Sequence, residues 1–172
     1  MSDAVHLRSA VIVSSDRAYH GEYVDLAGPA AMEWLSAHHY FPQKKVVVPD
    51  DRDRIKTCVE KLLLQSDLVV VSGGTGLGPK DLSPQAVTEV ADYEIPGIGE
   101  LLRAESLKFS LNAYISRCGG FVKNQKLILV LPGNPKAVVE QLNILKDVIR
   151  PAICALRGSC DHRRRTQAGA GG

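Results

Sequence analysis

The sequence lacks the marks of several common protein classes. It has no unbroken run of about eighteen apolar residues, the least that reads as a membrane-crossing helix. Its 4 cysteines, Cys58, Cys118, Cys154 and Cys160, include no C-x-x-C pair. Neither a zinc site nor a disulfide scaffold is indicated, and free thiols in a reducing compartment are the simplest reading. The histidines, His20, His38 and His39 among them, fall at no metal-ligand spacing. Charge of one sign is also scarce. The formal net charge is +2, part of it from Arg163, Arg164 and Arg165 near the C-terminus, so no nucleic-acid surface is implied. No G-x-S-x-G elbow or cysteine–histidine pairing points to acyl transfer. The first residues carry no apolar leader, so a cytoplasmic protein without a membrane is expected.

What is present is ordinary for a globular chain: 172 residues, 45% apolar and 23% charged. That length suits one domain with helices on both faces of a sheet. No internal repeat or linker divides it. We expect residues 1–158 to form the domain and 159–172, which lack periodicity, to be a loose tail.

Apolar runs at Leu7 to Val13, Lys44 to Val48 and Asp67 to Ser72 read as strands. The third is apolar without alternation, as in a strand covered on both faces. Helical spacing appears from Gly28 to His39, then through "RDRIKTCVEKLLLQ", where Asp51 or Asp50 serves as cap. Trp34 and Met32 are assigned to the core. Further helices are expected in "SPQAVTEVAD", with Ser83 as N-cap and Pro84 in the first turn, and in "PGIGELLRAESLKFS". "AYISRCGGFVKNQKLILVLPG" reads as a β-hairpin turning at Lys123-Asn124. A closing helix follows, kinked or broken at Pro151. Strands alternating with helices give an α/β fold: three layers, a mostly parallel sheet, helices on both faces, and a small β-hairpin.

In such sheets ligands bind beyond the C-terminal strand ends, near a switch in strand order. Four glycine-rich or polar segments follow strands: Ser14 to Gly28, Pro49 to Asp51, Gly73 to Asp81 and Pro132 to Pro135. In "SGGTGLGPKD", Gly73, Gly74, Gly76 and Gly78 let a ligand approach bare backbone, and amides facing one gap suit an anion. The loop is not a Walker A sequence, because Pro79 intervenes before Lys80 and Asp81 stands where Ser or Thr is needed; nor is it a dinucleotide fingerprint, because "GTGLG" has a glycine one place early and no helix starts at once. Asp81 beside an anion loop calls for a cation between them, and Mg²⁺ commonly bridges one or two carboxylates to phosphates. Asp50 is the candidate second acid, since Asp51 can take the capping role. In the first loop, Asp16 and Asp25 suit either a site or turn hydrogen bonds. Asn134 suits either the reading of a ligand edge or a helix cap. Arg117 suits either a phosphate or a surface ion pair.

Four segments, "SSDRAYHGEYVDLAGP", "VVVPDDRDRI", "SGGTGLGPKDLSPQA" and "ISRCGG…LILVLPGNPKA", resemble the molybdopterin adenylyltransferases in order and spacing. Their relatives include the G domains of plant molybdenum-insertion proteins and of gephyrin. The resemblance spans residues 7–157. The Gly73-Gly74-Thr75-Gly76 element is shared with other molybdopterin-binding-like domains, whereas the Ser14-Ser15-Asp16-Arg17 opening points to the adenylyltransferase branch. The resemblance implies a homotrimer that transfers AMP from Mg·ATP to the molybdopterin phosphate, releasing pyrophosphate. It implies ATP and molybdopterin as substrates and transient contact with a molybdenum-insertion protein. Asp50 and Asp81 match the two essential acids, holding Mg²⁺ directly or through water. Gly73, Gly74, Thr75 and Gly76 match the loop under the ligand; Ser15, Asp16, Ser116, Gly133 and Asn134 match residues lining the pocket. The chain departs from the family where Phe121-Val122-Lys123-Asn124 replaces the more usual Ile-Arg-Gly. A binding-only paralogue, or a structural module of a cofactor-synthesis assembly, is the alternative.

Overall fold

The computed structural model describes residues 6–158; the expected tail at 159–172 lies outside the described residues. Six strands form one sheet: β1 (Ser9–Ser14), β2 (Pro42–Val48), β3 (Leu68–Ser72), β4 (Tyr93–Ile95), β5 (Gly119–Lys123) and β6 (Lys126–Leu131). Their order is β2-β1-β3-β6-β5-β4. Strands β2, β1, β3 and β6 are parallel, and β5 runs antiparallel to both β6 and β4. From β1 the chain goes first to β2 on one side, then to β3 on the other. The switch in strand order therefore lies between β1 and β3, at Ser14 and Ser72.

Alternation along the strands divides the core. Val11, Val13, Val70, Leu127, Leu129 and Leu131 pack on one face with Leu35, Leu102, Leu142 and Ile149. Those partners come from α2 (Ala27–Ala37), α5 (Pro96–Ser106), α6 (Pro135–Ile144) and α7 (Lys146–Leu156). Ile12, Val69, Val71, Ile128 and Val130 face the other way. They meet Ile55, Val59 and Leu63 of α3 (Arg52–Leu63) and Ala86, Val87 and Val90 of α4 (Ser83–Val90). The central strands have no polar side because both faces are covered. Trp34 lies in the core and Met32 packs against it.

Several local expectations are corrected. The polar stretch after β1 contains a short helix, α1 (Asp16–Tyr19), capped by the Ser15 hydroxyl. Residues Leu111–Ile115 form a 3₁₀ helix capped by Ser110; it takes in Ala113 to Ile115, expected as the start of the first hairpin arm, and the strand begins only at Gly119. The hairpin turn sits one residue later than expected, at Asn124 (φ 49°) and Gln125 (φ 59°); paired left-handed residues match the twist of the flanking strands. Ser83 does not cap α4: Leu82 is the cap residue, and the Ser83 hydroxyl is buried without a protein partner. The closing helix divides at Leu145, not at Pro151, which lies inside α7.

Candidate functional site

The ends of β1, β2, β3 and β6 deliver four loops to one rim. Ser72 Oγ donates to the Pro132 carbonyl at 2.8 Å, and Gly73 N–H to the Leu131 carbonyl at 3.0 Å, so the β3 and β6 loops leave the sheet side by side. Gly73 has φ 103°, and a Cβ there would lie 2.4 Å from the Ser14 carbonyl oxygen; a Cβ on Gly133 would lie 3.1 Å from the Gly73 Cα. The three loops cross where no side chain fits between them, which is why glycine stands at both positions.

Within the glycine loop, Gly78 N–H donates to Asp81 Oδ2 at 2.9 Å. Among the described residues the amides of Gly74, Thr75 and Gly76 donate to no protein acceptor. Unpaired amides in a concave loop are suited to an anion's oxygens. Two cavities meet there. One of about 300 Å³ is lined by Ser14, Ser15, Gly73, Gly74, Asp81 and Gly133. The other, about 590 Å³, is lined by Phe109, Ile115, Ser116, Pro132, Asn134 and Gln141. Thr75 and Gly76 line both and form the shared wall.

The acids hold distinct positions. Asp51 caps α3 by accepting from Arg54 N–H at 2.8 Å, which leaves Asp50 free of that task. Asp50 accepts from Ser14 Oγ at 2.7 Å and from Asp16 N–H at 3.0 Å, while Asp50 N–H donates to Asp16 Oδ1 at 2.9 Å. This reciprocal pair ties the β1 and β2 loops together. The other Asp16 oxygen takes the Lys80 ammonium, linking both loops to the glycine loop one residue before Asp81. Lys80 holds the Asp16 carboxyl below the usual aspartate range, assisted by the Asp50 amide; Asp16 in turn raises Lys80. Asp81 lines the smaller cavity, whereas Asp50 and Asp16 stand behind it at the rim. Asp25 accepts from Gly28 N–H at 2.8 Å and pairs with Lys45 at 2.7 Å, and so makes turn bonds at the same cavity.

The remaining candidates divide between the two cavities. Ser15 lines the smaller one while its hydroxyl caps α1. Ser116 lines the larger one, with Oγ 2.9 Å from Cys118 Sγ; that thiol is pushed up by burial. Asn134 does cap α6, accepting from Lys136 and Ala137 N–H at 2.9 and 3.1 Å, yet it also lines the larger cavity and its side-chain NH₂ is not used in capping. Arg117 makes no ion pair among the described residues. Its guanidinium donates to the Gly76 carbonyl at 2.9 and 2.6 Å and to the Asp81 carbonyl at 2.5 Å. Sequence reasoning missed Lys80 as a partner of Asp16. The one signal for it was a lysine between the glycines and the acid.

A six-stranded, mostly parallel sheet with a glycine loop and several acids on the loops at its switch point has the form of a ligand-binding α/β domain. Comparison with known proteins gives its family: residues 10–153 match the family described as "probable molybdopterin binding domain", and the chain belongs to it. It is 40% identical over 147 residues to the molybdopterin adenylyltransferase of Helicobacter pylori strain J99, covering 83% of this chain and 81% of that protein. It is 39% identical over 145 residues to the molybdopterin adenylyltransferase of Escherichia coli K12, covering 82% of this chain and 74% of the relative. The crystal structure of the molybdopterin biosynthesis enzyme MoaB from Thermus thermophilus superposes with a TM-score of 0.82 at 33% identity, over 88% of this chain and 97% of that one.

Proposed function

We propose that this chain is a molybdopterin adenylyltransferase, a nucleotidyltransferase of molybdenum cofactor biosynthesis that takes ATP and molybdopterin as substrates. An oxygen of the molybdopterin phosphate attacks the α-phosphorus of ATP. The bond from that phosphorus to the α–β bridging oxygen breaks, its electron pair leaves on pyrophosphate, and adenylylated molybdopterin remains. The observation that carries this reading is the pair of cavities meeting at Thr75 and Gly76. Two ligands filling them would touch at a wall of unpaired amides. Joining two anions is mostly a problem of alignment and charge shielding, and fixed N–H donors serve both. The larger cavity has the apolar walls a flat heterocycle needs, with Ser116 and Asn134 as polar contacts. The smaller one, with Ser15, Gly73, Gly74, Asp81 and Gly133, suits phosphate.

Asp81 and Asp50 are the acids assigned to Mg²⁺. Asp81 has one oxygen bonded to Gly78 N–H, and each Asp50 oxygen takes a single protein hydrogen bond. Carboxylate oxygens so engaged keep a lone pair. Among the described residues no group of three or more acid, histidine or cysteine side chains could hold an ion. The free lone pairs of the two carboxylates would suit a magnesium that keeps most of its water. Bound there, it would supply positive charge to the phosphates. Asp16 positions Asp50 and presents the counter-ion Lys80.

The proposed assembly is a homotrimer. Support for an interface comes from the exposed apolar side chains of Leu77, Phe109, Leu111, Tyr114 and Ile115 beside the site. No helix among the described residues is long and apolar enough to cross a membrane. A cytoplasmic location and handover of product to a molybdenum-insertion protein belong to the same reading. The test adds molybdopterin to the chain with Mg·ATP and follows pyrophosphate and the adenylylated product. Stoichiometric release of both is expected. Tight molybdopterin binding with no pyrophosphate would leave a binding-only paralogue in its place.

A further inference from the structure

Arg117 stands behind the wall that separates the two cavities. It follows Ser116, which lines the larger cavity together with Ala113 and Ile115 of the 3₁₀ helix. Its backbone N–H donates to the Thr75 carbonyl at 3.0 Å. Nε and Nη2 converge on the Gly76 carbonyl, and Nη2 also reaches the Asp81 carbonyl. One residue thus grips the glycine loop at Thr75, Gly76 and Asp81. Those carbonyls belong to the shared wall and to the acid of the smaller cavity. Among the described residues no ion pair joins this guanidinium to a carboxylate. Its bonds are spent on holding backbone, and its charge is left for the loop.

We propose that Arg117 is a positioning residue that couples the two cavities. A ligand seated against Ala113, Ile115 and Ser116 fixes the 3₁₀ segment, and Arg117 transmits that order to Gly76 and Asp81. The second ligand then meets a loop already set for it. By linkage, each ligand strengthens the other by the same factor. A planar guanidinium can span two carbonyls, which a lysine ammonium cannot do in the same geometry. The inference rests on the two-ligand reading above.

The experiment titrates the magnesium complex of α,β-methylene-ATP, whose α–β bridge resists cleavage, into the full chain with and without saturating molybdopterin. Wild type should show analogue binding tightened on the order of tenfold by molybdopterin. In Arg117→Met that factor should fall to about one, while affinity for either ligand alone shifts less than roughly threefold. A residue needed only for folding would weaken both alone. Arg117→Lys keeps charge and stem and should also lose the coupling. Amide exchange gives a second readout: molybdopterin alone should slow residues 76–82 in wild type. If Arg117→Met fails to fold, Arg117→Lys and the wild-type exchange data decide. Unchanged coupling in either folded variant, or no coupling and no protection in wild type, overturns the proposal. Pyrophosphate formation with a coupling factor of one would sink this inference and leave the proposed reaction standing. Coupling without pyrophosphate would do the reverse.

Discussion

Two aspartates serve opposite ends of β3 in different ways. Asp67, just before the strand, is buried, with Oδ2 accepting from Arg8 N–H at 2.8 Å and Oδ1 paired with Arg157 at 2.5 Å. Its backbone is tied in as well: its N–H donates to the Arg8 carbonyl and its carbonyl accepts from Leu127 N–H. Asp81, beyond the other end, accepts one amide and faces a cavity. At the lower end both oxygens of a buried acid are taken, one by an amide and one by a guanidinium, which ties the start of β1 to the end of α7. At the upper end an acid keeps binding capacity in reserve, and the groups around it position it without filling it. The difference separates a structural carboxylate from one that can work on a ligand.

The strongest way to break this comparison is Asp81→Asn. We expect adenylylation to fall about 10²–10³-fold, the usual cost of removing a group that stabilises developing charge. Thermal stability should barely move, because Asp81 lies at an exposed loop with one side-chain bond to lose. Pyrophosphate release and a thermal melt on the same preparation check both halves. Near-wild-type turnover would remove Asp81 from the chemistry.

Asp67→Asn should behave the other way. Losing the Arg157 pair leaves a buried amide in a site built for a carboxylate. Arg157 is about a third exposed, which tempers the loss, so we expect a cost of about 2 kcal/mol. Turnover per folded molecule should be unchanged well below the melting temperature. Denaturant unfolding reads the first quantity, and kcat corrected for folded fraction the second. A fall in kcat with no fall in stability would show that the two ends are not separable.

A pair of glycines sharpens the contrast. Gly73→Ala puts a Cβ 2.4 Å from the Ser14 carbonyl at a φ of 103°, so the loop crossing must open. We expect about 1–3 kcal/mol of strain and loss of ATP binding. Gly97→Ala, in the first turn of α5, meets nothing within 4 Å and should stabilise by about 0.5 kcal/mol. Calorimetric binding and melting of both variants test the pair. Equal effects would mean that Gly73 is no more constrained than a surface glycine.

These contrasts also mark what the sequence could disclose. The central strands were legible because continuous apolar runs such as Leu68 to Val71 have few alternatives. Of the candidate site, what lies in local order was legible: glycines after a strand, an acid after the glycines that lines the same cavity, and Asp51 placed to cap α3 in place of Asp50. Short elements were not. Tyr93–Ile95 is a three-residue edge strand whose first two residues are exposed, so it shows no apolar run; its existence depends on pairing with β5. The four-residue α1 is too short to show a period. The first arm of the expected hairpin was begun too early because Tyr114 and Ile115 look apolar enough for a strand yet remain exposed. The tasks of Lys80, Arg117 and Asp67 were hidden for one reason. Each depends on partners dozens of residues away, and an isolated charged residue reads equally well as a solvated one.

The smallest expected effect concerns pH and again separates a functional rim from a structural turn. Asp16 is held below its usual range first by the Lys80 bond, and Asp92 likewise first by Lys123. A carboxylate with a depressed folded pKa contributes stability that is complete above its unfolded value near 3.8 and is lost as pH falls through the lower folded value. Both pairs therefore stay intact at neutral pH and open only in acid below the ordinary aspartate range. Both are solvent-screened, so the slope of stability against pH should be shallow. Lys123→Met should remove part of that slope and leave ATP binding alone, because Lys123 pairs with Asp92 at the hairpin turn. Lys80→Met should remove a similar part and also change ATP binding, because its partner Asp16 is bonded to Asp50 at the rim. Acid titration of stability, run beside ATP binding at neutral pH for the two variants, distinguishes them. If Lys80→Met binds ATP as the wild type does, the Asp16–Lys80 pair is a surface ion pair like the other.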